Sequence, residues 1–115
     1  MKVRVGSEDY LNDVERVKEL RKAIGPDIEL MADLNQGLSP KEAIRLGGKL
    51  EEYDLLWLEE PVASSNRKGH AEVKENLNIP IASGENEYTR FGIREMIKAN
   101  ACDVLMPDLQ RIGGI

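Results

Sequence analysis

The sequence predicts an α/β fold of about five parallel β-strands and four α-helices. Short apolar runs alternate with amphipathic stretches in the order β-α-β-α-β-α-β-α-β, which is typical of parallel strands joined by helical crossovers. Turn and capping signals separate these runs, and Gly25-Pro26 is a clear stop signal for the first helix. The repeated unit is therefore one strand followed by one helix.

The predicted strands are short, and the first predicted helix has one apolar face. We expect strands at residues 2–5, 28–34, 55–58, 79–82 and 103–106. Apolar residues that recur at steps of three and four indicate a helix with one buried face. In the first helix, this pattern predicts a buried stripe of Leu11, Val14, Val17, Leu20 and Ile24.

The other three helices are predicted from capping signals together with periodicity. Ser39-Pro40-Lys41-Glu42 has the form of a capping box with proline at the first helical position. The stripe that follows it consists of Ala43, Leu46, Leu50 and Tyr53. A looser helix is expected over residues 66–75. Thr89 is expected to cap the last helix, whose apolar positions are Ile93, Met96 and Ile97.

Composition limits the classes of partner. The chain has 115 residues and a formal net charge of −5, so one domain is expected and a nucleic-acid partner is not. The apolar runs have the length of strands, too short to span a membrane, and residues 1–5 do not form the apolar core of a secretory leader. Cys102 is the only cysteine, which excludes an internal disulfide and favours a cytoplasmic location.

An acidic residue follows the apolar part of each of the last four predicted strands. These residues are Asp33, Glu59, Glu85 and Asp108, separated by steps of 26, 26 and 23 residues. A constant step predicts that the acids share one level at the carboxyl edge of the sheet, where α/β proteins place their active sites. Converging carboxylates repel one another unless a cation lies between them, and oxygen ligands favour Mg²⁺. The alternative is that the acids are ordinary helix caps or loop residues.

Four motifs, in order and at suitable spacing, carry a family resemblance. They are Asp33-Leu34-Asn35-Gln36, Trp57-Leu58-Glu59-Glu60-Pro61, Gly84-Glu85-Asn86, and Pro107-Asp108 through Gly113-Gly114. Together they resemble the mandelate racemase/muconate lactonizing enzyme group of the enolase superfamily, over essentially the whole chain. The resemblance implies part of a TIM (β/α)8 barrel. A complete barrel takes about 250 residues, so residues 1–115 are expected to be a fragment of the C-terminal barrel domain, without the capping domain.

The resemblance also implies a set of site residues. Asp33, Glu59 and Glu85 match the Mg²⁺ ligands, Asn35 matches a substrate-binding position, and Asp108 matches an acid that pairs with a histidine after the following strand. The segment Lys2-Val3-Arg4 aligns with a Lys-x-Lys motif whose second lysine is the usual base. Lys2, Arg4 and Asp108 are therefore the expected catalytic residues.

The implied reaction is Mg²⁺-assisted removal of the proton α to a carboxylate. Arginine stays protonated in proteins, so Arg4 is a poor base and a good carboxylate clamp. This departure favours an acid-sugar dehydratase over a two-base racemase, with a sugar acid as the small-molecule substrate. A racemase or epimerase and a cycloisomerase remain alternatives.

Two further residues close to these motifs have simpler expected roles. His70, the only histidine, falls in a predicted helix and is expected to be structural or exposed, far from the strand ends. Glu60 should point to the face opposite Glu59, because side chains alternate along a strand. Glu60 is therefore expected to serve as a control position for Glu59.

Two alternatives from other classes also fit the length. One is a response-regulator-like domain, which also gathers acids around Mg²⁺. The other is a barrel fragment that oligomerises without catalysis. A partial barrel has unpaired sheet edges, so a homo-oligomer is expected, and the chain alone is expected to be nearly inactive.

Overall fold

The computed structural model describes residues 1–7 and 9–114. In this part of the chain the strands are β1 (Lys2–Arg4), β2 (Leu30–Asp33), β3 (Leu55–Glu59), β4 (Ile81–Ser83) and β5 (Val104–Leu105). The helices are α1 (Tyr10–Ile24), α2 (Pro40–Leu50), α3 (Arg67–Asn76) and α4 (Thr89–Lys98), with a short 3-10 turn at Glu51–Tyr53. The predicted order of strands and helices is confirmed, although most observed strands are shorter than predicted.

The strands lie in the sheet in their order along the chain, β1-β2-β3-β4-β5, and all pairs are parallel. Response-regulator-like sheets have the order 2-1-3-4-5, so the observed order excludes that alternative. Right-handed crossovers between sequential parallel strands place every helix on one face. The sheet therefore has a helix-covered face and an inner face, like a segment of a barrel wall.

Apolar side chains fill the space between the sheet and the helices. Ala32, Leu58 and Ile81, which pair with one another across three adjacent strands, are fully buried. Helix side chains such as Val17 and Val73 join them in one continuous core. Alternation along each strand consequently directs the intervening side chains, including Asp33 and Glu59, to the inner face.

The buried face of α1 differs from its predicted stripe. Val17 is buried and Val14, Leu20 and Ile24 pack against the core, but Leu11 is 60% exposed, so its predicted burial was wrong. Asp13 is fully buried instead, because its carboxylate is hydrogen-bonded to the loop that precedes α1. The first turn of α1 therefore buries Asp13 instead of Leu11.

Helix α2 begins with the predicted capping box. The Ser39 hydroxyl accepts from the Glu42 backbone N–H, and the Glu42 carboxylate accepts from the Ser39 backbone N–H at 2.9 Å. The first three residues of the predicted stripe are buried, whereas Tyr53 is half-buried in the 3-10 turn after the helix. Burial of the stripe fixes α2 against the sheet.

The start of α4 lies one residue from its prediction. Tyr88 occupies the capping position without a side-chain bond, and Thr89 is the first helical residue. Met96 is buried on this helix, but Ile97 is 62% exposed. The exposure of Ile97 shows that α4 buries a narrower stripe than its apolar content suggests.

Arg21, near the end of α1, is hydrogen-bonded to the segments that lead into two strands. Its guanidinium donates to four backbone carbonyls, at 2.7–3.0 Å. Two of them, Gly25 and Ile28, lie in the segment before β2, and the other two, Tyr53 and Asp54, lie just before β3. Charge-assisted hydrogen bonds of this kind are the stronger ones in proteins.

A bulge in β3 sets its register with β2. Leu30 pairs with Leu55, but Met31 pairs with Trp57, so Leu56 is an extra residue in β3. Beyond the bulge, Asp33 pairs with Glu59. Side chains alternate between the two faces of a sheet, so the register beyond the bulge places these two acids side by side on one face.

None of the helices within residues 1–7 and 9–114 combines the length and the apolar character needed to cross a membrane.

Candidate functional site

The side chain of Lys2, the first residue of β1, reaches Asp33 and Glu59, the last residues of β2 and β3. The Lys2 ammonium nitrogen lies 2.9 Å from Glu59 Oε1 and 3.6 Å from Asp33 Oδ2. Glu59 is 4% exposed, and its other oxygen lies 3.5 Å from the indole nitrogen of Trp57. Two carboxylates thus face a common point where a positive charge already lies, which is what a cation site requires.

The charge of Lys2 is stabilised by these acids. Its pKa is raised, chiefly by the hydrogen bond to Glu59 and further by the charges of Glu59 and Asp33, against the opposing effect of desolvation. Lys2 is therefore a cation at neutral pH and suits a clamp for an anionic group better than it suits a base. Half of its side chain is exposed, so the ammonium group can move away when another cation binds.

Arg4 and Asn35 lie beside this cluster. Arg4 pairs in register with Asp33 and is exposed. Asn35 is held next to Asp33 because its backbone N–H donates to Asp33 Oδ1 at 2.8 Å. Arg4 and Asn35 line one open groove at this edge, together with Ser7 of the loop after β1. The structure thus brings the predicted clamp and the predicted substrate-binding residue to one place.

Glu85 and Asp108 lie beyond the level of Asp33 and Glu59 at the edge of the sheet. Glu59 pairs with Ala82, and Ala82 pairs with Val104, so Glu85 and Asp108 lie three and four residues further along their segments. The prediction of one common level was wrong for both, because equal steps along the chain do not set the register between strands. Glu85 is exposed in the loop after β4.

Asp108 belongs to the turn after β5. Its Oδ1 accepts from the Gln110 backbone N–H at 2.8 Å, and its Oδ2 lies 3.6 Å from Arg111. Within the described residues, no group of three His, Cys, Asp or Glu side chains stands ready to hold a metal ion. The observed geometry therefore gathers Asp33 and Glu59 with Lys2 but leaves Glu85 apart.

Glu60 points to the helix-covered face, as predicted, but it is not a neutral control. It is 1% exposed, and its Oε1 accepts from Ser83 Oγ at 2.9 Å and from the Gly84 backbone N–H at 3.0 Å. A buried, hydrogen-bonded carboxylate contributes to the structure itself. Glu60 is therefore a poor control position for Glu59, because a substitution there would also remove buried hydrogen bonds.

His70 is structural and buried, but it does not lie far from the strand ends. Its Nδ1 lies 3.1 Å from the Asn66 carbonyl oxygen, and its Nε2 lies 3.1 Å from Ser83 Oγ at the end of β4. Burial lowers its pKa, against the raising effects of the Asn66 carbonyl and the Glu60 charge. His70 is the only histidine of the chain and lies on the face opposite Asp33 and Glu59, so it is not the partner expected for Asp108.

Asp13 was not singled out from the sequence, yet it shapes the loop beside Arg4. Its Oδ2 accepts from the Gly6 and Ser7 backbone N–H groups and from the Ser7 hydroxyl, all within 2.9 Å. Its Oδ1 accepts from Arg16 at 2.9 Å. An acid in the first turn of a helix, shortly after a Gly-Ser turn, was the available signal.

The whole chain, residues 1–115, matches the model of a family described as enolase C-terminal domain-like. The chain belongs to this family. The predicted resemblance to the enolase superfamily is thereby confirmed, and the five-stranded sheet is part of the TIM-barrel domain of this family.

Two curated relatives are identical to this chain at more than a third of the aligned positions. It is 37% identical, over 115 residues, to L-talarate/galactarate dehydratase of Salmonella typhimurium. It is 38% identical, over 114 residues, to D-galactarolactone cycloisomerase of Agrobacterium fabrum. These alignments cover 100% and 99% of the chain but only 29% of each relative, so the chain spans less than a third of their length.

A solved structure of similar fold contains a metal and a sugar acid. The L-talarate dehydratase of a Polaromonas species, complexed with Mg and L-glucarate, superposes with a TM-score of 0.97 at 36% identity. The superposition covers 100% of this chain and 32% of that one. This chain therefore has the fold of one segment of that enzyme.

Proposed function

We propose that this chain supplies part of the active site of a Mg²⁺-dependent acid-sugar dehydratase. In this reaction a proton is removed from the carbon next to a carboxylate, and water is then lost. The observation that carries the proposal is the Lys2 ammonium held between Asp33 and Glu59 at the carboxyl end of the strands. The two relatives named above, which act on sugar acids or their lactones according to their names, support this substrate class.

Asp33 and Glu59, joined by Glu85, would hold the Mg²⁺ ion. The fit of the first two rests on the cation they already share, and Glu85 would join them by a movement of its exposed loop. When bound, such an ion acts as a Lewis acid that stabilises negative charge on a substrate carboxylate. The proposal therefore requires Lys2 to leave its position between the acids.

Three other residues would bind and orient the substrate. Lys2, once displaced, and Arg4 would clamp anionic oxygens, because both side chains are cationic and project from β1 beside the acids. Asn35 would donate to a substrate hydroxyl or carboxylate from the groove it shares with Arg4. Asp108 would orient a histidine contributed from outside this chain, since His70 lies on the other face of the sheet.

We expect Glu59→Gln to weaken Mg²⁺ binding about 10–100-fold or more, because even a change in a group that merely supports a ligand has an effect of this size. The substitution keeps the shape of the side chain and removes one anionic ligand. Isothermal titration calorimetry with MgCl₂ measures the change in Mg²⁺ affinity. The matched control is Glu75→Gln, an exposed glutamate on α3. Equal Mg²⁺ affinity in the two variants would contradict the assignment.

The chain alone is expected to show almost no turnover. It spans less than a third of its relatives, it lacks the partner of Asp108, and a general acid–base group typically contributes about 10²–10⁴-fold. The assay is formation of 2-keto acids from a panel of sugar acids, by this chain and by a chain extended to a complete barrel. Turnover by the 115-residue chain at ordinary enzyme rates would contradict this residue assignment.

The same panel separates the alternatives. A lactone opened without loss of water would favour a cycloisomerase, and exchange of the α-proton with inversion would favour a racemase or epimerase. A chain that forms stable oligomers in light scattering without binding Mg²⁺ would favour a non-catalytic fragment. The predicted homo-oligomer, through the unpaired edges β1 and β5, is compatible with either function.

A further inference from the structure

Glu60 joins the ends of three adjacent strands. Its backbone N–H donates to the Ala82 carbonyl of β4 at 2.9 Å, and its backbone carbonyl accepts from the Gln36 N–H, after β2, at 2.8 Å. Its side chain reaches further along β4, where Oε1 accepts from Ser83 Oγ and from the Gly84 N–H. The residue that follows β3 is thus hydrogen-bonded to both neighbouring strand ends.

This arrangement is costly for stability. Glu60 has a φ of 46°, in the left-handed region that a residue with a Cβ rarely adopts. Its side chain is buried, and within the described part of the chain Oε2 has no hydrogen-bond partner. An apolar residue would avoid the cost of burying a carboxylate. Left-handed non-glycine residues that persist despite such costs concentrate at functional sites.

The position of Glu60 in the chain indicates what it serves. It directly follows Glu59, and the group it binds on β4, Ser83-Gly84, directly precedes Glu85. The hydrogen bonds from Ser83 and Gly84 to Glu60 Oε1 therefore connect the residue next to Glu59 with the two residues before Glu85. His70 supports the link from behind, since its Nε2 lies against Ser83 Oγ.

We propose that Glu60, Ser83 and the Gly84 N–H form a clamp that fixes the start of the Glu85 loop relative to Glu59, so that Glu60 and Ser83 are positioning residues for the metal. The inference rests on the proposed function, in which both acids hold Mg²⁺. The clamp acts through hydrogen bonds accepted by Oε1. What the clamp requires of Glu60 is therefore a hydrogen-bond acceptor at the position of Oε1, and not the negative charge of the carboxylate.

The first test compares two serine-to-alanine variants by calorimetric titration with MgCl₂. Ser83→Ala removes the hydroxyl that Glu60 accepts from, and we expect about tenfold weaker Mg²⁺ binding, the lower end of the effect of supporting groups. The control is Ser39→Ala, which also removes a hydroxyl donating to a carboxylate, that of Glu42, at the start of α2. Ser39→Ala should leave Mg²⁺ affinity close to that of the wild type.

The second test separates position from charge. Glu60→Gln keeps an oxygen at Oε1 and removes the charge, whereas Glu60→Ala removes both. We expect Glu60→Gln to bind Mg²⁺ nearly as the wild type does, and Glu60→Ala to bind it about tenfold or more weakly. In a Glu59→Gln background, Ser83→Ala should add little further loss, because the ligand it positions is already changed.

A spectroscopic readout follows from the single histidine. The imidazole nitrogen signals of His70 report on Ser83 without assignment ambiguity, and they should shift when Mg²⁺ is added to the wild type but much less in Ser83→Ala. A role in stability alone would lower the unfolding temperature of Ser83→Ala equally with and without Mg²⁺. The clamp instead predicts a smaller stabilising increment from Mg²⁺ in this variant.

Four outcomes overturn the inference. Equal Mg²⁺ affinities of Ser83→Ala and Ser39→Ala would remove the clamp while leaving the metal site intact. Equal losses in Glu60→Gln and Glu60→Ala would assign the effect to charge. A wild-type chain that binds no Mg²⁺ would overturn the proposed ligands and the clamp together, and losses that merely follow lower helical content in circular dichroism would count against the clamp alone.

Discussion

Replacing Asp13 by alanine is expected to lower the free energy of unfolding by about 3 kcal/mol, because a hydrogen bond to a charged group typically contributes about 1.5–3 kcal/mol and several are lost here. The carboxylate is fully buried and accepts from Gly6, Ser7 and Arg16. Without it, the loop after β1 loses its attachment to α1. Urea unfolding followed by circular dichroism measures the change.

Lower pH should remove the same contribution from the wild type. Burial alone would raise the pKa of Asp13, but hydrogen bonds from Ser7 and Gly6 and the charge of Arg16 outweigh it, so the folded pKa is lowered. The stabilisation is therefore complete above the unfolded pKa of about 3.9 and is lost as pH falls through the folded value. The difference in unfolding free energy between wild type and Asp13→Ala should stay constant from about pH 7 to about pH 5 and shrink as the pH falls below about 4.

Two control variants make the Asp13 result specific. Asp13→Asn retains an acceptor oxygen and should lose less stability than the alanine variant. Glu19→Ala removes an exposed acid of the same helix and should have an effect within about 0.5 kcal/mol, as surface substitutions usually do. An effect of Asp13→Ala as small as that of Glu19→Ala would contradict the proposed role of the carboxylate.

Replacing Arg21 by alanine is expected to lower the free energy of unfolding by about 2 kcal/mol, less than the sum of its four bonds because the side chain is only half-buried and water replaces part of them. The loss arises at the amino ends of β2 and β3, where the guanidinium binds four carbonyl oxygens. Thermal unfolding of the variant against the wild type measures it.

Lysine at the same position tests the geometry of the guanidinium. Arg21→Lys keeps the charge but lacks the planar fork of donors, so it should recover only part of the lost stability. The exposed neighbour Lys22 provides the matched control, as Lys22→Ala should be nearly neutral. A fully stable Arg21→Ala variant, or full recovery by lysine, would show that the bonds to the carbonyls contribute little.

The order of strands and helices could be predicted from local patterns. Capping at Ser39, the stop at Gly25 and the alternation of apolar and amphipathic segments depend on neighbouring residues, which the sequence displays directly. The pairing of Asp33 with Glu59 also agrees with the expected site. Each of these features depends on one strand-helix unit or on two adjacent units of equal length, so the sequence pattern alone indicates it.

Features that depend on register and on distant contacts could not be predicted in the same way. Equal steps along the chain suggested a common level for Glu85 and Asp108, but pairing between strands places both further along. His70 was expected far from the strand ends, because nothing in a helical pattern shows which strand its side chain meets. Leu11 was expected to be buried, because periodicity does not register a polar contact such as that of Asp13.

The extra residue at Leu56 makes the length of β3 more important than its composition. Deleting Leu56 would only remove the bulge, because Leu55 and Trp57 already pair with consecutive residues of β2. One residue added between Trp57 and Glu59 would instead turn Glu59 toward the helices and Glu60 toward the inner face, because side chains alternate. Another apolar residue at position 56 would leave both where they are. Insertions introduced at random should therefore survive selection for metal binding in the loops after the strands, such as residues 63–66, and be eliminated from residues 57–59 of β3, whereas loss of Leu56 should be tolerated.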